Sequence, residues 1–594
     1  MTALDTHTAG SKRGRSVLWF AAALVVFCIS LVTPFSEVWR YDVRETVPTF
    51  PREEAGDDSA WPKRLKGPRT TDQYFVTWGA GRNAYTLLTR PTRLFDSEQC
   101  YPAPNALALG EPMITLGIVG MPAYFVTRNP VATYNFAIVF TTLLAAVAMY
   151  VLVAEWTAIP AAGIVAGILY GFNAIKIRNV VHPYVDDTAW TVLALLLARR
   201  FFAHGRWRDA IGAAIACSLQ IGTSFYPFVA AVVFAVPILG WLLVRYGIRK
   251  LRVAPTLVAL GIIGFTAVVV FLPYLEWRSS ADVLRREFQW FIGWDAYLPK
   301  GVMFPGWVLP VLVLVSLVLP RKRMLGGLEG DPRWALVIAA VLVALMATGG
   351  NWNARFAAAF SGAPPPIELP NLYELLAIVI PGLDSVRVPG ALSAGVHVAL
   401  SILAGLGAAG LIALVPKRLR TSVAIALILI AYVETLRPHV IGLEPPVIYR
   451  PVLLKPADSV LEFFETLANK GNSGPLLELP HKTGPFAART AWLSAYHHRR
   501  TSACHATFPP PVVSEVRKLS ERLPDQDAIR AAREMGFTTI LLRHAPQGLA
   551  TSYGQRFEEA SQGGLLRRIH GDTLMTAYAI EPGDSRESTD NPGQ

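Results

Sequence analysis

The stretch "VATYNFAIVFTTLLAAVAMYVLVA", Val131 to Ala154, decides the fold class of this chain. It contains no charged residue, and about 20 apolar residues wound as an α-helix span the roughly 30 Å of hydrocarbon in a bilayer. Similar runs recur along the 594 residues, of which 52% are apolar and 16% charged, with a mean hydropathy of +0.37. This composition excludes an ordinary soluble protein of this size and predicts an α-helical polytopic membrane protein.

The apolar runs predict about eleven membrane-spanning helices. They cover residues 16–35, 131–154, 158–175, 187–203, 209–223, 226–244, 253–273, 303–320, 333–349, 388–415 and 421–437. The first run follows basic residues but is too long for a signal peptide and lacks a small-residue cleavage site, so we expect it to be retained. Two further apolar stretches, 112–126 and 369–380, are short, and we interpret them as juxtamembrane or half-buried helices on the outer side.

Basic clusters decide the orientation of these spans. With the N-terminus inside and the two short stretches excluded, the cytoplasmic loops contain "SKRGR", "ARRFFAHGRWR", "RYGIRKLR", "PRKRM" and "PKRLR". This arrangement satisfies the positive-inside rule, whereas counting 112–126 as a span would move three of the clusters outside. The net charge of +12 is therefore interpreted as a topology signal, and no nucleic-acid partner is expected.

The same orientation predicts the domain organisation. Residues 1–15 form a cytoplasmic N-terminus, and residues 16–437 form the transmembrane domain, with a large outer loop at 36–130. The composition then turns soluble, and residues 438–580 are predicted to form an extracytoplasmic α/β domain before a disordered tail, 581–594. The predicted helices are "SVLEFFETLANK" and "DQDAIRAAREMG", and the predicted strands are "GPLLELP", "FTTILLRH", "GGLLRRIH" and "LMTAYAIEP".

The four cysteines separate into two pairs once the topology is assigned. Cys28 and Cys217 lie in predicted spans and are interpreted as apolar packing residues. Cys100 and Cys504 both lie outside, in an oxidising compartment where disulfides persist. A bridge between them would tie the first outer loop to the C-terminal domain, and two unrelated free thiols are the alternative.

Asp72 is the first candidate for chemistry. It lies at the start of a predicted interfacial helix, 72–88, which carries the aromatic residues Tyr74, Phe75, Trp78 and Tyr85. An aspartate at this position suits a helix N-cap, because its carboxylate accepts backbone N–H groups at the positive end of the helix dipole. The alternative is a general base on an acceptor hydroxyl.

A second group lies in "NVVHPYVDDTAW", Asn179 to Trp190, between two predicted spans. Taken singly, His182 is interpreted as a surface histidine, and Asp186 or Asp187 as a helix cap. Together with Asp72 and Glu111 they predict a polar cavity, because carboxylates at membrane helix ends carry a desolvation cost. Such a group is typical of a site that activates a hydroxyl or holds a divalent cation, for which oxygen ligands favour Mg or Mn.

The sequence resembles the YfhO-like membrane proteins of the GT-C glycosyltransferase superfamily, strongly over residues 72–200 and more loosely afterwards. The matching motifs are "LFD", "CYPAPNALALGEP", "RNPVATYNFAIVF", "HPYVDDTAW", "GTSFYPFV", "IPGLDSVRVP", "LLELP", "AYHHRR" and "MGFTTILLRH". One motif departs from the pattern, because the arginine-proline motif at Arg387 is not followed by a second arginine.

The resemblance implies a glycosyltransferase of the cell envelope with its active site on the extracytoplasmic face of the membrane. It implies a polyprenyl-phosphate-linked sugar as donor and a glycan, lipid or protein hydroxyl as acceptor. Asp72 matches the expected catalytic base, and Glu111, at the start of the juxtamembrane helix, is the second candidate catalytic residue. The phosphate or a metal would be contacted by His182, Asp186, Asp187, Arg178 and Arg387, and a single displacement would invert the anomeric carbon.

Two other functions remain open from the residues. A transporter or lipid flippase would need polar or broken helices at mid-membrane and internal repeats, whereas the charged residues of this chain collect at the outer surface. A non-catalytic envelope scaffold, or a transferase that has lost its activity, would have almost the same sequence features.

Overall fold

The structure is a computed structural model that describes residues 3–49, 70–247, 252–279, 291–299, 303–349, 371–380, 382–436, 449–471, 473–483, 487–506, 509–544 and 550–581. Its N-terminal part is helical. The helices are α1 Ala3–Phe35, α2 Thr70–Thr89, α3 Ile114–Thr127, α4 Pro130–Thr157, α5 Pro160–Gly171, α6 Ala174–Arg178, α7 Pro183–Asp186, α8 Ala189–His204, α9 Trp207–Thr223, α10 Phe225–Tyr246, α11 Val253–Ser279, α12 Val308–Val318, α13 Arg321–Met324, α14 Arg333–Ala347, α15 Leu372–Val379, α16 Ala394–Leu414 and α17 Arg420–Leu436.

Each predicted span overlaps one of these helices. Within the described ranges, five helical segments are long and apolar enough to cross a membrane: Ser16–Phe35, α4, α10, Val253–Trp277 and Pro389–Leu414. Shorter apolar helices, which include α5, α12 and α14, account for further predicted spans. The number of about eleven spans therefore stays a prediction, as does the orientation of the N-terminus.

The two short stretches that were excluded as spans are also helices. α3 has 14 residues, fewer than the roughly 20 that cross a bilayer, and it packs against α2 and α4. α15 has 8 residues and begins with a capping box, in which Asn371 and Glu374 exchange side-chain and backbone hydrogen bonds. Both stretches are thus short helices, as the sequence predicts.

Local signals explain where the helices begin and end. Asn129 caps α4 by accepting the N–H of Ala132 at 2.9 Å, and Pro130 occupies the first helical position. The predicted span 158–175 is too long, because α5 ends at Gly171 and Asn173 caps a new helix, α6. The close pair α12 and α16 needs a glycine, since a Cβ at Gly407 would lie 1.9 Å from the carbonyl oxygen of Leu312.

The C-terminal residues form a mixed four-stranded sheet. Its strands are β3 Leu476–Leu479, β4 Thr539–Arg543, β5 Leu566–Gly571 and β6 Met575–Ile580, in the order β3-β4-β6-β5. β3 and β4 are parallel, and the other two pairs are antiparallel. A separate antiparallel ribbon joins β1 Thr46–Thr49 of the first outer loop to β2 Arg450–Leu453.

Five helices accompany this sheet, namely α18 Asp458–Asn469, α19 Ala488–His497, α20 Pro511–Arg522, α21 Gln526–Glu534 and α22 Ala550–Gln562. The four predicted strands and the two predicted helices of this region are present at their expected positions. The sequence analysis missed α19, α20 and α22. Most of the predicted tail, 582–594, lies outside the described residues.

Candidate functional site

Asp72 lies in the first turn of α2, which begins at Thr70. The expectation that Asp72 itself begins the helix is therefore wrong by two residues. A carboxylate in the first turn still benefits from the positive end of the helix dipole. Its side chain is 43% exposed, so the carboxylate is accessible from outside the protein.

The structure brings His182 to Asp72. The Nε2 atom of His182 lies 3.3 Å from Oδ2 of Asp72. The backbone N–H of His182 donates to the carbonyl oxygen of Asn179 at 2.8 Å, which fixes the loop that presents the imidazole. A ring contact with Tyr184, at 6.1 Å between centroids, supports the imidazole from the side. Asp72 and His182 lie 110 positions apart in the chain, and they form one pair because the start of α2 meets the 179–187 segment.

Asp186 is buried, unlike Asp72. Its Oδ2 accepts a hydrogen bond from Nδ2 of Asn179 at 2.5 Å. Burial raises the pKa of Asp186 to about 6, although the Asn179 hydrogen bond and the charge of Lys176 oppose the rise. Asn179 therefore contacts both candidates, since its carbonyl holds His182 and its amide holds Asp186.

Asp187 has a structural position at the start of α8. Its Oδ1 accepts the N–H of Ala189 at 3.3 Å, and its Oδ2 accepts the indole N–H of Trp190 at 3.2 Å. The carbonyl oxygen of the same residue accepts from Gln220 at 2.9 Å. The carboxylate is turned into the helix terminus, which matches the cap alternative rather than a ligand of phosphate or metal.

Glu111 is also engaged by a helix terminus. Its Oε2 accepts from the hydroxyl of Ser224 at 2.6 Å and from the N–H of Phe225, the first residue of α10, at 3.1 Å. Burial raises the pKa of Glu111, and these two hydrogen bonds oppose the rise. The charges of both Asp72 and Glu111 act on the hydroxyl of Tyr184, so the two carboxylates belong to the same neighbourhood. Glu111 also caps α10.

Lys176 and His397 are the site residues that the sequence analysis missed. A small cavity of about 10 Å³, room for about one water, is lined by Lys176, Asp186, His397, Tyr170, Asn173, Ile175, Thr188 and Ala394. Nζ of Lys176 and both ring nitrogens of His397 are buried without a hydrogen-bond partner. The signal for Lys176 is a lysine inside the apolar run "AIKIR", but the predicted span ends at Ile175, the residue before it.

The two arginines remain predictions as phosphate contacts. Arg178 ends α6, and its side chain lies outside what the structure describes. Arg387 is exposed between two 3₁₀ turns, Leu383–Ser385 and Pro389–Ser393, just before α16. The second of these turns packs against α10 and α14. Arg387 precedes α16 and His397 lies in its first turn, so both belong to the same end of this helix.

The residues do not fit a divalent cation. In the described part of the chain, no three side chains among His, Cys, Asp and Glu converge to hold a metal ion. Among the described residues, Asp186 is turned to Asn179 and Asp187 to the start of α8, whereas Asp72 and His182 face each other. A bound Mg or Mn therefore stays a prediction.

A disulfide joins the segment between α2 and α3 to the C-terminal region. The sulfur atoms of Cys100 and Cys504 lie 2.09 Å apart, and both residues are fully buried beside Ala106, Leu109 and Val513. Backbone hydrogen bonds continue the contact, since Cys100 N–H donates to Ala503 at 2.9 Å. The other two cysteines, Cys28 and Cys217, are free.

Comparison with known proteins gives likenesses among solved structures only. No protein family and no curated protein matches the chain. The chain is similar to the arabinofuranosyltransferase AftD from Mycobacteria, with 14% identity, 95% of this chain and 40% of AftD covered, and a TM-score of 0.49. It is also similar to ArnT from Cupriavidus metallidurans in the apo state, with 12% identity, 96% and 100% coverage, and a TM-score of 0.45.

ArnT bound to undecaprenyl phosphate gives 12% identity, 96% and 98% coverage, and a TM-score of 0.43. The chain therefore spans 40% of the length of AftD and nearly all of ArnT.

Proposed function

We propose that this protein is a membrane glycosyltransferase that moves a sugar from a polyprenyl-phosphate-linked donor to an acceptor hydroxyl at the extracytoplasmic face. The observation that carries the proposal is the pair of Asp72 and His182, 3.3 Å apart and partly exposed at 43% and 37%. A general base needs an accessible carboxylate within hydrogen-bond reach of the hydroxyl that it deprotonates. Asp72 meets this need through its exposure, whereas Asp186 and Asp187 are buried and Glu111 accepts hydrogen bonds at the start of α10.

The reaction proceeds by one displacement. Asp72 accepts the proton of the acceptor hydroxyl, the hydroxyl oxygen forms a bond to the anomeric carbon, and the bond from that carbon to the phosphate oxygen breaks. The phosphate leaves with the bonding electron pair, and the anomeric configuration inverts. His182 fixes the orientation of the Asp72 carboxylate, in the way that a third group orients the base in other catalytic sites.

The departing phosphate needs cationic stabilisation, because negative charge develops on it in the transition state. Arg387 is proposed for this role, since it is exposed at the outer end of α16 and a guanidinium binds phosphate oxygens in a bidentate manner. Arg178 is a second candidate from its position after Lys176. The acceptor is a glycan, lipid or protein hydroxyl.

The test compares surface glycans and glycolipids by mass spectrometry in cells that carry the native protein, a deletion, Asp72→Asn or Asp527→Asn at matched expression. Asp527 is the control, because its side chain is 77% exposed on α21 and its Oδ1 lies 3.8 Å from Nη1 of Arg530. We expect one sugar mass to disappear in the deletion and in Asp72→Asn and to persist in Asp527→Asn. A product that persists in Asp72→Asn would refute the assignment of the base, and an unchanged deletion would refute the transferase.

A further inference from the structure

The helix that carries Asp72 packs along α19 of the C-terminal region. Near its start, the ring of Tyr74 lies 5.2 Å from that of Trp492. One turn later, the indole N–H of Trp78 donates to the hydroxyl of Ser494 at 3.0 Å. α19 therefore follows α2 from the first turn, where the candidate base lies, towards its middle.

The hydrogen bond between Trp78 and Ser494 is fully enclosed. Trp78 is 1% exposed and Ser494 is 0% exposed. The Ser494 hydroxyl donates its hydrogen to the carbonyl oxygen of Ala491 at 2.5 Å, and the same oxygen accepts the indole N–H through a lone pair. Without that hydroxyl, the buried N–H of Trp78 would lose its acceptor, and such a group is costly to leave unpaired.

The C-terminal part of α2 is held by His498, the residue that directly follows α19. Its imidazole stacks on Tyr85 with 3.6 Å between centroids and 10° between planes. Its Nε2 lies 3.3 Å from the hydroxyl of Tyr124 on α3. Burial, with Arg90 nearby, lowers the pKa of His498 to about 4, so this imidazole is neutral at neutral pH and its stacking adds no positive charge beside Arg90.

The loops at the ends of the two helices are joined as well. The disulfide between Cys100 and Cys504 connects the segment that follows α2 to the segment that follows α19. Arg500 and Asp96 form an ion pair at 3.5 Å between the same two segments. The C-terminal region and α2 are thus attached by aromatic, hydrogen-bonded, ionic and covalent contacts.

We propose that Ser494 and His498 of the C-terminal domain are positioning residues for Asp72, because they hold the helix that presents this carboxylate to His182. The inference rests on the proposed function for its chemical meaning, but the packing that it describes is measurable without any substrate. It gives the C-terminal domain a role in building the active site. Loss of these contacts would let α2 separate from α19 and would move Asp72 away from His182.

The test is amide hydrogen exchange by mass spectrometry on the full-length protein in detergent, with peptides from α2 compared with peptides from α16. Ser494→Ala and Trp78→Phe should each speed exchange in α2 by about 10-fold and leave α16 unchanged. Combining them should add little, because each removes the same hydrogen bond. Ser520→Ala is the matched control, since Ser520 of α20 is also buried and its hydroxyl bonds to Arg517 within its own helix, away from α2.

His498→Leu removes the contact with Tyr124 and the parallel stack, and it should speed exchange in the last turn of α2. Unchanged exchange in α2 in Ser494→Ala and His498→Leu would overturn the inference. The surface-glycan assay provides the second readout, in which Ser494→Ala should lower the product signal and Ser520→Ala should not. Lost product with unchanged α2 exchange would overturn the inference and leave the transferase proposal in place. Full product in Asp72→Asn would instead refute the role of Asp72, and with it the catalytic purpose of the contact.

Discussion

Replacement of Asp186 by asparagine gives the sharpest test of the electrostatics beside the candidate site. Burial raises the pKa of this carboxyl from 3.8 to about 6, so the folded protein keeps a proton that the unfolded chain releases. The stability that this proton contributes is fully present below pH 3.8 and is lost as the pH rises through about 6. Asparagine has the shape of the protonated carboxyl, retains an oxygen for the Asn179 amide and does not titrate.

The magnitude follows from the two pKa values. Their difference corresponds to about 3 kcal/mol at 1.36 kcal/mol per pKa unit. With an unfolding entropy of about 2.1 cal/mol/K per residue, 594 residues convert this energy into a change of about 2 °C in Tm. Lys176 opposes the gain at neutral pH, because the substitution removes a nearby negative charge. The informative quantity is therefore the change of Tm between pH 4 and pH 7 rather than Tm at one pH.

The assay is thermal unfolding in detergent micelles, followed by tryptophan fluorescence at half-unit steps of pH. Between pH 4 and pH 7, the Tm of Asp186→Asn should fall by about 2 °C less than the Tm of the native chain. Asp527→Asn, which changes an exposed carboxylate, should retain the native dependence. An Asp186→Asn profile parallel to the native one would refute the argument, because it would show that Asp186 ionises alike in the folded and unfolded chains.

Three further predictions concern other contacts. Glu111→Gln keeps an acceptor for Ser224 and Phe225, so it should leave the surface-glycan product within about two-fold of native. Glu111→Ala removes the cap of α10, which should cost about 1–2 kcal/mol of stability and lower Tm. Abolished product in Glu111→Gln with unchanged Tm would make Glu111 catalytic. Glu478→Ala should destabilise the C-terminal sheet by about 3–5 kcal/mol, because it removes the carboxylate whose Oε2 lies 2.6 Å from Nη2 of Arg543. Limited proteolysis should then cleave the variant faster, and a native cleavage rate would contradict this. Alkylation of the denatured protein should label Cys100 and Cys504 only after reduction, and labelling without reductant would show that they are not bridged.

The sequence predicts the local structure of this protein well, because its signals act over a few residues. Apolar length marks the membrane helices, and short apolar runs mark the strands β3, β4 and β6, which are buried along almost their whole length. The errors come from polar residues within apolar runs. Asn173 ends the predicted span 158–175 early, since its side chain caps α6. α19 was missed, although the motif "AYHHRR" overlaps its end, because its buried face is defined by α2, far away in the chain.

The candidate site shows the same division more strongly. The sequence identified Asp72, His182, Asp186, Asp187 and Glu111 as a group of polar residues at helix ends. Each could be a cap or a chemical group, and residue type does not distinguish these roles. Packing does, since the start of α8 takes the Asp187 carboxylate and the start of α10 takes that of Glu111, whereas Asp72 faces His182.

What the sequence determined by itself is the helical membrane architecture, the C-terminal α/β elements and the set of residues from which a site is built. The tertiary structure alone decided which carboxylate is accessible, that Lys176 and His397 share a cavity with Asp186, and that α19 holds the helix of Asp72. The physical reason is range. Hydropathy and capping act within a few residues, but burial, pairing and desolvation depend on neighbours that are brought together from distant parts of the chain.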